Sequence, residues 1–123
     1  MKKYLVAATV VLLVLAVHAV PGIAHHGWKW TTGGNIELVG VIEEVSLGMP
    51  HGIITVNAEG EVWTVEVGQP WRNERAGLKD GDLAAGVEIR AVGEPAADPA
   101  DKRLKAERLY IAGREYNLYP ERT

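Results

Sequence analysis

The chain contains no cysteine. No disulfide therefore supports its fold, whatever compartment it occupies. A lipid anchor on a cysteine just after an export signal is excluded for the same reason, and so is a thiol nucleophile. Serine is almost as scarce: Ser46 stands alone, at a strand end with no base partner in sight. No Gly-x-Ser-x-Gly elbow and no phosphate-cradling glycine loop is present. Nothing here reads as an organised catalytic site, and the protein is not expected to be an enzyme.

Long apolar runs are also lacking, with one exception at the start. Met1-Lys2-Lys3 is a short positive opening, and Tyr4 to Val17 carries no charge. Pro21-Gly22 breaks any helix, and Gly22-Ile23-Ala24 places small residues where a signal peptidase reads. This three-part layout predicts a cleavable signal over residues 1–24. Val17-His18-Ala19 offers a second cleavage site that leaves Val20 to Ala24 in place. The apolar run is shorter than the roughly 20 residues that span a bilayer, so no stable membrane span is expected after processing. The expected location is periplasmic or secreted.

Removing 24 residues from 123 leaves 99. Lys2 and Lys3 are two of the 13 basic residues, so 11 remain against 16 acidic, a balance of −5 with His neutral. An acidic domain lacks the Lys and Arg surplus that neutralises phosphates, so nucleic acid is not an expected partner. Seven arginines, Arg72 to Arg122, are interleaved with acids and read as a mixed surface.

The processed chain reads as β-rich. Residues 25–34 have no apolar period and three glycines, which predicts an extended N-terminal arm. Trp28 and Trp30 face one side of such an arm and are expected to tie it down. Residues 35–123 read as a small barrel. Asn35 to Leu47 is a long strand with two apolar faces and an internal Gly40, which predicts a bend. Ile53–Asn57 and Glu61–Val67 form a hairpin across Ala58-Glu59-Gly60. Pro70 opens a short helix that Gly77 stops, with Trp71 and Ala76 expected in the core. Val87–Val92 and Leu104–Ile111 are further strands, separated by a loop over residues 93–103. The alternation of Leu104–Ile111 is imperfect, as at a sheet edge. Glu115–Tyr119 adds a last short strand. Five main strands and one helix after the third predict an all-β, OB-like barrel.

Metal-ligating residues are few. His25 and His26 lie at the predicted new N-terminus. Cleavage after Ala24 gives His25 a free amine beside its imidazole, and the two nitrogens can chelate one ion. His51, in the Met49-Pro50-His51 turn, is the best candidate for another imidazole. Tetragonal nitrogen ligation suits Cu(II), and the Met49 thioether suits Cu(I). Zinc is the competing metal. Copper is thus the candidate cofactor, with His25, His26, His51 and Met49 as candidate ligands. Of the carboxylates, Glu66 is singled out for its place between Val65 and Val67, near the expected open end of the barrel. The alternative is a ligand- or protein-interaction module, with Trp28, Trp30 and a barrel face as the contact surface. Its partners would be a small ligand or a periplasmic protein.

The chain also resembles a family of small exported bacterial proteins, the domain of unknown function numbered 6152. The matching elements are Ala24-His25-His26, Leu38 to Val45, Pro50-His51 and Trp63-Thr64-Val65-Glu66. Arg75-Ala76-Gly77-Leu78, Gly86-Val87, Val92 to Ala96 and Ile111 to Glu115 complete the set. The resemblance implies a periplasmic, barrel-like protein of unassigned activity, with His-His and Pro-His among its recurring features.

Overall fold

The computed structural model describes residues 27–122. The predicted signal, His25 and His26 lie outside the described residues. Of the described residues, 31–122 form one compact unit and 27–30 fall outside it. Every strand among the described residues falls in that unit. No helix among the described residues is long and apolar enough to cross a membrane.

Six strands form the sheet: β1 (Ile36–Ser46), β2 (Ile53–Ala58), β3 (Glu61–Glu66), β4 (Glu88–Pro95), β5 (Arg103–Ile111) and β6 (Arg114–Asn117). A short helix, α1 (Pro70–Arg75), follows β3, and a 3-10 turn (Pro120–Arg122) follows β6. The spatial order is β3-β2-β1-β4-β5-β6, and a further β3–β5 pairing closes the first five strands into a barrel. That closing pair is parallel, whereas every other pair is antiparallel. The expected small OB-like barrel with one short helix is the fold observed.

β1 bends as its sequence predicts. Residues 36–41 pair with β4, and residues 41–46 pair with β2. Gly40 sits at the hand-over, where a Cβ would lie 2.2 Å from the Asn57 carbonyl oxygen. Only a residue without a side chain lets the two strands approach so closely. A bulge at Glu43 then adds local twist. Leu38 and Ile42 point into the core, while Val39 and Val41 remain exposed.

Three local expectations need correction. The loop expected from residue 93 begins later, because β4 runs on through Gly93, Glu94 and Pro95. Pro95 is tolerated as the last strand residue, where a missing N–H costs the ladder least. Second, β5 is no edge: it pairs with β3, β4 and β6. Its alternation is broken by a bulge. Val92 faces Arg108 and Gly93 faces Ala106, so Glu107 is the extra residue. Third, Trp71 is not a core contact of the helix, being 52% exposed. The buried residue of α1 is Asn73, which accepts from the Gly68 N–H and donates to the Gly68 carbonyl, both at 2.9 Å. One side chain thus satisfies both polar groups of a buried glycine, as burial demands.

Candidate functional site

The barrel closure assembles a row of charges. In the parallel β3–β5 ladder Glu66 stands beside Lys105, and in the β4–β5 ladder Glu94 stands beside Lys105. Residues in register share a face of the sheet, so the three side chains are neighbours across three strands. Lys105 is only 3% exposed and Glu94 only 2%. Buried charges persist only when paired. Lys105 Nζ lies 3.5 Å from Glu66 Oε1. His51, from the β1–β2 loop, brings Nε2 to within 3.6 Å of the same oxygen.

The row continues to the chain's end. Glu107, the bulge residue, is as buried as Glu94. Arg122 joins the two, donating from Nη2 to Glu94 and from Nε to Glu107 Oε2 at 3.2 Å. Burial works against the Arg122 charge, but the hydrogen bonds to Glu107 and Glu94 outweigh it. The guanidinium is held above its ordinary pKa. The Glu107 carbonyl also accepts from the Leu118 N–H at 2.8 Å and the Tyr119 N–H at 3.3 Å.

Tyr119 is buried beside this row, with the Arg72 guanidinium stacked 4.0 Å from its ring centre. Arg72 in turn donates to the Leu118 carbonyl at 3.0 Å. Burial raises the Tyr119 pKa above the ordinary 10.0, Arg72 opposes the rise, and Glu66 and Glu121 add to it. A phenol whose folded pKa is raised contributes stability below about pH 10 that is lost as pH rises through the folded value. Base titration followed by circular dichroism is therefore expected to unfold the protein at a lower pH than its Tyr119→Phe variant.

Of the residues singled out in the sequence, His51 and Glu66 come together. Met49 is 73% exposed on its turn. Trp28 is buried and Trp30 half-buried, both outside the compact unit. His25 and His26 lie outside the described residues. Among the described residues no group of three or more His, Asp or Glu side chains is gathered to hold an ion. The two ring nitrogens of His51 have different surroundings. Nε2 faces a carboxylate, and Nδ1 is buried with no hydrogen-bond partner. Ligating histidines commonly direct one ring nitrogen at a carboxylate and the other at the metal.

Lys105, Glu94, Glu107, Arg122 and Tyr119 escaped sequence reasoning. Their one signal was the stretch Lys105-Ala106-Glu107, whose charges break the strand's alternation. A groove of about 660 Å³ lies apart from the row, lined by Val39, Val41, Arg90 and Tyr110 among others. Arg90 stacks 3.9 Å from the Tyr110 ring centre there.

Fold and row together define a small OB-like β-barrel with a buried ionic seam beside its parallel closure. The chain belongs to the family of unknown function DUF6152, whose model matches residues 11–105. No curated protein matches it. Among solved structures it is similar to the ZRD-deleted mutant of TiaS, crystallised in complex with agmatine. The identity is 13% and the TM-score 0.51, over 68% of this chain and 26% of that one. The chain thus spans about a quarter of that protein's length, and the likeness is one of fold.

Proposed function

We propose that this protein is an exported binding protein that holds a copper ion through His51 and the histidines of its processed N-terminus. The observation that carries the reading is the His51 ring, with Nε2 turned to Glu66 and Nδ1 left without a partner. Lys105 supports it by sharing the same Glu66 oxygen, which directs that carboxylate toward a positioning role. The ligands would then be nitrogens: the Nδ1 of His51, the amine and imidazole of His25, and His26 as a further donor. Such a set favours Cu(II) over the hard cations that carboxylates select. The role would be holding or delivering the metal, with no catalysis.

Copper titration of the exported protein, followed by electron paramagnetic resonance, tests the reading. The expected spectrum carries nitrogen coupling that His51→Ala diminishes. Glu66→Gln, which removes the orienting charge, is expected to weaken copper binding about 10- to 100-fold. A spectrum without nitrogen coupling, unchanged in His51→Ala, would sink the proposal. Intact mass of the exported protein fixes the first residue; a chain beginning at Val20 denies His25 its amine.

A second reading, a ligand- or protein-interaction module, draws support from the groove along β1. Val39 there is 62% exposed in mid-strand, where an antiparallel outer face is ordinarily polar. An apolar ligand bound stoichiometrically to metal-free protein would favour it.

A further inference from the structure

We propose that the C-terminal turn is a latch that positions the segment from Thr31 to Asn35, the arm meant below, with Arg122 as its bolt. The argument lies in how Glu94 and Glu107 divide their oxygens. Glu94 accepts from the Thr31 hydroxyl on Oε1, at 2.7 Å, and from Arg122 on Oε2. Glu107 accepts from the Asn35 carboxamide on Oε1, at 3.1 Å, and from Arg122 on Oε2, at 3.2 Å. Each buried carboxylate therefore gives one oxygen to the arm and the other to the last turn of the chain. Segments 63 and 72 residues from these carboxylates in sequence are held by the same two groups.

Backbone contacts also reach this segment. Thr31 makes an isolated bridge with Ala96, and the Thr32 N–H donates to the Pro95 carbonyl at 3.0 Å. Gly33 and Gly34 have no neighbour within 4 Å of where a Cβ would stand, so nothing packs against them on that side. The cation between two carboxylates this buried offsets both their burial and their mutual repulsion. With Arg122 gone, they are expected to take up protons, admit water or swing outward, and each course removes or weakens the acceptors that hold Thr31 and Asn35. Arg122 thus acts on the arm through Glu94 and Glu107 and is a positioning residue. The inference is independent of the copper reading, since Glu94, Glu107, Thr31 and Asn35 take no part in that site.

Backbone ¹⁵N relaxation of the labelled protein tests it. In the native chain the amides of Thr31 to Asn35 are expected to be nearly as ordered as those of β2, with order parameters near 0.85. In Arg122→Gln they are expected to fall below about 0.6, while β2 and β3 keep their values. Arg122→Lys retains a charge but not the fork that spans two carboxylates. It is expected to give an intermediate loosening, and carries the test should the first variant fail to fold. An arm as rigid as β2 in the variants overturns the latch, even if their melting temperature falls. Equal loosening of β2 and β3 also overturns it, since Arg122 would then support the whole barrel.

Discussion

Gly93→Ala is expected to destabilise the barrel by about 3 kcal/mol or more, at or above the upper end of ordinary overpacking. A Cβ on Gly93 would stand 2.0 Å from the Lys105 carbonyl oxygen and 2.8 Å from the Ala106 Cα. Both are backbone atoms, so no rotamer change relieves the clash. The strands must part at the point where the β4–β5 register shifts and Glu107 is extruded. The damage would spread into the ionic row, because Glu94 and Lys105 flank the site of the clash. Gly48 supplies the control. Nothing lies within 4 Å of where its Cβ would stand, and its φ is not positive, so Gly48→Ala is expected to stay within about 0.5 kcal/mol. Urea denaturation of the pair measures the contrast. A Gly93→Ala variant as stable as Gly48→Ala would show that the two strands do not meet as described.

The second large effect concerns the ionic row. Arg122→Met is expected to cost about 3 kcal/mol, because it takes from the buried Glu94 and Glu107 the guanidinium that pairs with both. In a domain of this size that lowers the melting temperature by roughly 12–24 °C. The cost falls at the low end of the usual range because Arg122 keeps some exposure, 22% of its side chain. Adding Glu94→Gln and Glu107→Gln to Arg122→Met is expected to restore most of the loss. The triple variant removes the two carboxylate charges as well, and a buried ion cluster replaced as a whole is often close to neutral. Thermal melts of the single and triple variants decide the matter. A triple variant no more stable than Arg122→Met would mean that Arg122 stabilises through packing, not charge.

Much of the barrel was legible because local chemistry and the final fold agree. Leu38 and Ile42 fall on one face of a period-2 strand and turn inward; Ala58-Glu59-Gly60 closes the β2–β3 hairpin; Pro70 opens α1. The bend of β1 could be read from Gly40, since a glycine between apolar faces marks a close backbone approach. β5 was misjudged for a physical reason. Its buried Lys105 and Glu107 mimic the polar face of an edge strand, and only pairing with β3, β4 and the chain's end reveals that they are buried. Trp71 misled in the opposite sense: an indole predicts burial, yet the ring lies exposed, with the Arg72 and Arg75 guanidinium groups over it.

By itself the sequence determined the all-β class, the succession of strands along the chain, the short helix after β3 and the exclusion of disulfides and thiol chemistry. These follow from period, turn residues and composition, which act over a few residues at a time. It also singled out His51 and Glu66. Only the tertiary structure decided what surrounds them. Lys105 reaches Glu66 because β3 and β5 close the barrel in parallel, and Glu94 meets Glu107 through Arg122 because a bulge turns one residue out of register. Thr31 and Asn35 join them from the far end of the chain. Such contacts depend on register between distant strands, and local pattern carries no information about that register.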